Sequence, residues 1–398
     1  MDWFFSFEFV TTVIKIVGFT FAAVLGLVSY TVYAERRVSA IIQDRVGPNR
    51  VGLPLTLLGF KKDVRFRGLF QPLADGLKFI LKEDFTPAHV KKFYFWLAPA
   101  LCLVPALLTC AVLPFGSSIT IPWDGGTKTI PLVIANLNVG PLFVFAIASL
   151  GVYGIVLAGW ASNSKYPFFG GVRSSSQMIS YEISLGLSLV PVLLVMGELN
   201  LVKITEAQSQ QGWNLLPFAF GEAFDWKRWV LLVPLGIAFI TFVISMFAET
   251  NRLPFDLPEC ETELVGGYHT EYSSMKFALF FMGEYAAMIV GSGITVTLFL
   301  GGWSLPLGMD KPVTHLLQNL PLPSWFNIDT IAHGVLPGLM HLGVFFSKLI
   351  AFLIFFIWVR WTLPRVRYDQ LMRLGWIWMF EICLANVLLT AGLLWYFA

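Results

Sequence analysis

The sequence carries little charge for its length. Only 13% of its 398 residues are Asp, Glu, Lys or Arg, whereas soluble globular proteins carry about 25%. Hydrophobic residues make up 56% of the chain, and its 27 basic residues nearly balance its 25 acidic ones. This composition excludes a disordered protein, and it argues against a nucleic-acid-binding protein, which would be strongly basic. We therefore expect an integral membrane protein.

The sequence also lacks the motifs by which chains bind redox cofactors, nucleotides or metals. Its four cysteines include no C-x-x-C pair, its five histidines show no H-E-x-x-H spacing, and no G-x-x-x-x-G-K-[ST] motif occurs. We expect the chain itself to bind no FMN, NAD, iron–sulfur cluster or metal, so any redox chemistry requires a partner. No basic stretch precedes the first apolar run, so we expect no cleaved signal peptide.

Eight apolar segments are long enough to cross a bilayer as helices, which takes about 20 residues each. These segments cannot be open strands, because backbone groups in lipid must bond within the segment. We predict an all-α polytopic membrane protein that forms a single membrane domain, 1–398. The predicted spans are residues 9–33, 93–115, 139–161, 178–197, 229–248, 276–301, 342–363 and 374–397.

Basic residues are distributed unequally among the connections between these spans. The odd-numbered connections contain 20 of the 27 Lys and Arg residues, and the even-numbered ones contain 5. Because cytoplasmic loops are enriched in basic residues, the odd connections are predicted to be cytoplasmic and both termini to be periplasmic. The two most informative cytoplasmic loops are then the first, 34–92, and an acidic one, 249–276.

The first cytoplasmic loop contains an amphipathic segment, residues 69–83, which is typical of a helix in the membrane interface. A plain anchor is one interpretation, and an entrance beneath which a lipid-soluble molecule enters sideways is the other. Four arginines near the start of the loop leave a similar choice between contact with anionic lipid and docking of a soluble partner. The apolar face of the helix comprises Leu69, Leu73, Leu77, Ile80 and Leu81.

The second loop is acidic: it carries six carboxylates between Glu249 and Glu271, and only Arg252 offsets them in that stretch. Further acids, Glu182, Glu284 and Glu381, fall inside predicted spans, where ionisable residues normally face a wet cavity or a partner. Neighbouring carboxylates in a low dielectric repel one another, so some must hold protons. This pattern predicts a proton path, and a solvated acidic loop is the alternative. Lys348 is a possible charge partner. The loop acids are Glu249, Asp256, Glu259, Glu261, Glu263 and Glu271.

Five long motifs together resemble one family, the quinone-site membrane subunit of respiratory complex I, which is the H-type subunit of bacterial NADH:quinone oxidoreductases. They occur in the family's order and cover more than a quarter of the chain. The motifs are AERRVSAIIQDRVGPNRVG, QPLADGLKFILKE, GWASNSKYPFFGGVRSSSQMISYE, AETNRLPFDLPECETELVGGYHTEYSSMKFALFFMGEY and VRWTLPRVRYDQLMRLGW.

The resemblance implies a subunit at the joint between a hydrophilic redox arm and a membrane arm in the bacterial inner membrane. Its substrate would be a quinone that enters from the lipid, and electron transfer would be coupled to proton translocation. Its partners would be hydrophilic iron–sulfur and quinone-site subunits, small membrane subunits and lipid, with no nucleic acid. The residues matching the quinone chamber are Glu35, Arg36, Arg37, Asp75 and Lys78. Those matching the proton relay are Glu182, Glu249, Glu259, Glu261, Glu263, Glu271 and Glu284.

The sequence departs from the family pattern in two places. Residues 54–68 insert a basic segment where the family runs from the G-P-N-R-V-G turn almost directly into its amphipathic helix. In the last span, Ile377 and Glu381 stand in the regions where the family usually has a lysine and a proline. No family role is therefore carried over to Glu381.

Three other functions fit parts of this pattern. A homologous membrane subunit of an energy-converting hydrogenase would lack a quinone reaction. A stand-alone cation transporter would use similar membrane acids and would be active without partners. A purely structural anchor would tolerate neutral substitutions in the acidic loop.

Overall fold

The computed structural model describes residues 7–52, 67–123, 126–218, 225–258, 264–318 and 334–397. Eight helices within these ranges are long and apolar enough to cross a membrane, which confirms the predicted fold. Three shorter α-helices and one two-stranded sheet in the same ranges connect them. In chain order the elements are α1 (Phe7–Ile42), α2 (Gln71–Leu81), α3 (Lys92–Val112), β1 (Ser118–Trp123), β2 (Gly126–Pro131), α4 (Gly140–Ala161), α5 (Lys165–Met196), α6 (Leu201–Gln211), α7 (Trp226–Glu249), α8 (Ser274–Phe299), α9 (Asp310–Gln318), α10 (Leu336–Thr362) and α11 (Tyr368–Phe397).

Helix α5 differs most from its predicted bounds, because it begins at Lys165 and not near residue 178. Its first turns are rich in glycine and serine, and Gly170, Ser174 and Gln177 are buried between helices. These small polar residues contact protein and not lipid, so hydropathy does not detect this part of the helix. Helix α1 is also longer than predicted and contains a π-helical stretch, Ile16–Leu25.

The sequence did not predict the hairpin β1–β2. The two strands pair antiparallel, with Thr120 opposite Thr129. A hairpin of this size rarely stands alone, and this one packs against the first turns of α10, where Gly338 approaches Ser118 so closely that a Cβ would lie 2.8 Å from its carbonyl oxygen.

On the membrane side where the hairpin lies, a glycine and polar side chains cap the ends of several helices. Gly197 adopts a left-handed conformation (φ +65°) and ends α5, and the Asn200 side chain accepts hydrogen bonds from two backbone N–H groups at the start of α6. Lys348 of α10 donates to the carbonyl oxygens of Leu300, Gly302 and Ser304 at 2.7, 2.9 and 2.5 Å. These carbonyls follow the end of α8, so the ammonium binds a helix terminus and not the carboxylates within the spans.

The opposite ends of the helices pack tightly around aromatic side chains. Tyr181 of α5 is fully buried and donates a hydrogen bond to Leu371 O of α11 at 2.9 Å. On the other side of the bundle, the rings of Phe95 and Tyr272 stack with their centroids 3.9 Å apart. This packing fixes the helix ends around the acidic residues described next.

Candidate functional site

A cavity of about 100 Å³ lies between α3, α4, α5, α7 and α8. Three glutamates from three different helices line it: Glu182 of α5, Glu249 of α7 and Glu284 of α8. A single water molecule needs about 10–15 Å³ of such space, so the cavity has room for several. The fold therefore brings together three acids, of which the first and the last are more than 100 residues apart in the sequence.

The three glutamates differ in their hydrogen-bond partners. The hydroxyl of Ser149 donates to Glu182, and the hydroxyl of Tyr268 donates to Glu284 Oε1 at 2.7 Å. Glu249 Oε2 is buried and has no hydrogen-bond partner among the described residues. A buried carboxyl oxygen without a protein partner is a natural site for water or a proton.

The remaining wall of the cavity is mostly apolar, and its width is set by close packing. Met246 and Gly291 both line the cavity, and a Cβ on Gly291 would lie only 1.5 Å from Met246 Cε. Glycine is thus required at position 291 for the side chain of Met246 to keep its place. The apolar wall keeps the local dielectric low, which makes the simultaneous ionisation of three neighbouring acids costly.

A second group of charged residues, which we call the arginine cluster, surrounds Glu35 of α1. Glu35 is buried (7% exposed) and binds Arg360 Nη1 through both carboxylate oxygens, at 2.9 and 2.8 Å. Tyr285 of α8 donates its hydroxyl to the same carboxylate, and Arg252 Nη1 lies 3.6 Å from Glu35 Oε1. The cluster consists of Glu35, Arg252, Tyr285 and Arg360. The single carboxylate of Glu35 thus has two guanidinium groups and one phenol as neighbours.

Arg252 belongs to the arginine cluster and also reaches the glutamate cavity. Its guanidinium lies over the ring of Tyr285, 3.8 Å from the ring centre, and its Nη2 lies 4.0 Å from Glu284 Oε2. Burial opposes its charge, but Tyr285, Glu35 and Glu284 outweigh burial and raise the pKa of Arg252 above its ordinary value. One permanently charged guanidinium therefore lies between a glutamate of each region.

The loop that carries Arg252 is anchored to the bundle by its backbone. Gln177 Nε2 of α5 donates to Ala248 O at 2.8 Å and to Phe255 O at 2.9 Å, on either side of Arg252. Asp256 accepts a hydrogen bond from Arg365 at 3.0 Å. Burial raises the pKa of Asp256 to about 6, although Arg365 acts in the opposite direction. The position of Arg252 is thus fixed by contacts from α5 and from the segment between α10 and α11.

The amphipathic helix α2 confirms the predicted pattern, with Leu73 58% and Leu81 83% exposed on its apolar side. Its polar side is attached to α1, because Arg36 Nη1 binds Asp75 Oδ2 at 2.7 Å. Its C-terminal end is attached to α8, where the hydroxyl of Ser274 donates to Phe79 O at 2.8 Å. An apolar surface is thus held beside the arginine cluster.

The other predicted site residues that the structure describes belong neither to the cavity lining nor to the arginine cluster. Arg37 donates to Val46 O at 2.6 Å and orders the turn after α1, and Lys78 is exposed on α2. Glu271 is half-buried and is not among the residues that line the cavity. Three predicted relay residues lie outside the described residues: Glu259, Glu261 and Glu263.

Sequence reasoning missed the donors that organise these acids. It assigned no role to Arg360, Tyr285 or Tyr268, although all three lie in the motifs that carry the family resemblance. It identified Arg252 only as the cation that offsets the acidic loop. The signal that could have identified Arg252 is its place three residues after Glu249, directly beyond the end of a span.

In the described part of the chain, no three His, Cys, Asp or Glu side chains are grouped so that they could hold a metal ion. The polar groups of the site are instead carboxylates, guanidinium groups and phenols. Such groups bind and transfer protons or position a polar ligand.

Comparisons with known proteins agree with this arrangement. The sequence profile of the NADH dehydrogenase family matches residues 14–391. An H-type subunit of NADH-quinone oxidoreductase from Geobacter sulfurreducens is 45% identical over 378 residues, 95% of each chain. The H-type subunits of the same enzyme from Koribacter versatilis and Cytophaga hutchinsonii are 46% identical over 389 residues and 40% identical over 385 residues; each alignment covers at least 95% of both chains. The chain therefore belongs to the NADH dehydrogenase family, together with the H-type membrane subunits of bacterial NADH-quinone oxidoreductases.

Proposed function

We propose that this chain, as the membrane subunit of a proton-pumping NADH:quinone oxidoreductase, forms part of a quinone chamber and couples quinone reduction to proton movement. The observation that carries the proposal is the position of Arg252 between Glu35 and Glu284. Because Arg252 lies near an acid of the arginine cluster and an acid of the cavity, it responds to a change of charge in either region.

The quinone enters from the lipid beneath α2. The exposed leucines of this helix offer an apolar surface at the membrane interface, and the Arg36–Asp75 pair fixes the helix to α1 next to Glu35. A quinone has an apolar tail and a polar head, and this arrangement supplies both environments side by side. Arg36, Arg37 and Lys78 belong to the same entrance in this proposal.

Electrons arrive from a cluster on a partner subunit. Reduction of one quinone to quinol consumes two electrons and two protons, so negative charge appears on the head before the protons arrive. A guanidinium is attracted to that charge. Arg252 Nε and Nη2 have no hydrogen-bond partner among the described residues, so the side chain has donors to offer a reduced head or the water around it.

A shift of Arg252 toward the reduced quinone weakens its attraction for Glu284, which then takes up a proton. Because three acids share one small apolar-walled cavity, a proton gained by one changes the proton occupancy of the others. Glu182 and Glu249 then pass the change along the cavity. The proposal includes Glu259, Glu261, Glu263 and Glu271 as further members of the relay, on the basis of their place in the acidic loop.

The proposed orientation places the arginine cluster near the cytoplasmic side and both termini at the periplasm. The excess of basic residues in the odd connections supports it. Hydrophilic iron–sulfur subunits would then dock on the first cytoplasmic loop and the acidic loop, and small membrane subunits and lipid would surround the spans.

The test is Glu249→Gln in the assembled complex, with NADH-driven proton pumping and inhibitor-sensitive quinone reduction measured in the same vesicles. We expect pumping to fall at least tenfold, because Gln fills the same space but cannot carry a proton. Glu206→Gln is the matched control for a general effect of removing an acid, since Glu206 is exposed on α6 and belongs neither to the cavity lining nor to the proposed relay; we expect its effect to stay within about threefold. Unchanged pumping and unchanged quinone reduction in Glu249→Gln would refute the relay.

A further inference from the structure

One face of the last span, α11, is exposed in the described part of the chain. Its buried stripe consists of Cys383, Asn386 and Thr390, which pack against α5 and α7. With 100° between successive residues, the opposite face carries four residues that we call the outer seam. All four are exposed: Glu381, Ala385, Leu388 and Gly392.

Glu381 of the outer seam lies inside the hydrocarbon region. Exposed tryptophans mark the two ends of this span, Trp378 before Glu381 and Trp395 near the C-terminus, as is typical of membrane interfaces. Glu381 is one helical turn inward from Trp378. Its neighbour Cys383 lies 3.6 Å from Ser184 O, so Glu381 is at the depth of the α5 segment that contains Glu182.

A carboxylate on the outer surface of a span is expensive if only lipid covers it. Ionisable groups within spans are strongly disfavoured unless they pair with another polar group. The structure gives Glu381 no ion pair or hydrogen bond within the described part of this chain. A stabilising group must therefore lie outside the part of the chain that the structure describes.

The rest of the outer seam has the geometry of a helix-packing surface. Its members are spaced by four, three and four residues, the spacing of a left-handed helix crossing. Two of them, Ala385 and Gly392, are small, and small residues let membrane helices approach closely. A Cβ on Gly392 would meet no atom of the described residues within 4 Å, so they leave open space in front of it.

We propose that the outer seam binds a transmembrane helix of another membrane subunit, which presents a lysine or arginine to Glu381. A basic partner is favoured because it complements the carboxylate of Glu381, and because Lys and Arg are concentrated near the cytoplasmic interface, which Trp378, one turn before Glu381, marks in the proposed orientation. The seam proposal rests on membership of a multi-subunit complex and not on the proton relay.

The first test changes the charge of Glu381 and measures the amount of assembled complex in membranes by native gel. Glu381→Lys places two cations against each other, and we expect at least a fivefold loss of assembled complex. Glu381→Gln keeps a hydrogen-bond acceptor, and we expect about a twofold loss. Assembly of Glu381→Lys at the wild-type level would overturn the proposal and indicate a protonated side chain that faces lipid.

The second test adds bulk to the seam without changing charge. Gly392→Leu should lower assembly severalfold, because its side chain occupies the space of the partner helix. Gly343→Leu is the matched control, since Gly343 is an exposed glycine of α10 with the same open surroundings; it should assemble normally. Equal losses in both variants, or no loss in either, would contradict a specific contact at the outer seam.

A photoreactive residue at position 388 identifies what covers the seam. We expect it to crosslink to a membrane subunit of the same complex at a helix that contains Lys or Arg. Crosslinks to lipid alone would overturn the proposal. Because quinone reduction and pumping are not read out here, failure of this test leaves the proposed proton relay unaffected, and failure of the relay leaves the seam intact.

Discussion

The glutamate cavity and the arginine cluster are adjacent and share Arg252, yet their charges are balanced in opposite ways. In the arginine cluster a single carboxylate, Glu35, receives contacts from two guanidinium groups and a phenol. In the cavity, three carboxylates share one small space, and their partners include the hydroxyls of Ser149 and Tyr268 and the more distant Nη2 of Arg252. The cluster thus has an excess of donors, and the cavity has an excess of acids.

This difference indicates different roles for the two regions. A buried acid that several donors contact holds its neighbours in one geometry. Acids that outnumber the cations of an apolar cavity exchange protons instead, because only some of them can be ionised together. In the proposed function, the cluster senses and transmits charge, and the cavity holds protons.

The largest effect is expected from Arg252→Met, which removes the cation that the two regions share. Breaking a buried ion pair by removing one partner costs about 3–5 kcal/mol, so the complex should be less heat-stable. Coupling should also be lost, with quinone-dependent proton pumping reduced at least tenfold in reconstituted vesicles. Arg252→Lys keeps a charge and should retain part of both properties. Normal pumping in Arg252→Met would show that the two regions communicate by another route.

A smaller but more diagnostic effect is expected when one acid is neutralised in each region. Glu35→Gln leaves Arg252 and Arg360 facing each other without their shared carboxylate, so the melting temperature of the purified complex should fall clearly. Glu249→Gln removes an acid that no cation of the described residues opposes, so the melting temperature should stay the same or rise. Equal destabilisation by both substitutions would mean that the charge balance of the two regions is not as different as their contacts indicate.

The smallest effect concerns the loop beside both regions. Burial raises the pKa of Asp256 from the ordinary 3.8 to about 6. Between these values the folded protein keeps a proton that the unfolded chain has lost, so stability present near pH 4 is lost as the pH rises through 6. This change amounts to at most about 3 kcal/mol. Melting temperatures of the complex between pH 4.5 and 7.5 should show this decline, and Asp256→Asn should flatten it. The same decline in Asp256→Asn would assign it to another group.

The sequence predicts the membrane architecture well because lipid imposes a simple rule on the spans. Runs of about 20 apolar residues identify all eight of the spans found in the described ranges. The rule fails for the first turns of α5, since Ser174 and Gln177 are buried among other helices and never meet lipid. The hairpin β1–β2 escapes prediction for a related reason, because its short strands are stabilised by contacts with α10 and not by their own pattern.

The candidate site is predictable in part. Glu182 and Glu284 are conspicuous in the sequence because acids inside spans are costly, and the structure brings both to one cavity with Glu249. Their cationic neighbours are not conspicuous. Arg360 lies 325 residues from Glu35 along the chain, and an arginine at the end of a span is ordinary in a membrane protein. Only the folded arrangement distinguishes a basic residue that anchors a loop from one that holds a buried acid.

The contact between Gly291 and Met246 has a practical consequence for the cavity. Because the hydrogen atom at position 291 is all that leaves room for the thioether, a single added methyl group would displace it. The hydration of the acids could then be tuned by sterics while every ionisable group stays in place. The number of water molecules in the cavity can thus be changed without changing any of its ionisable groups.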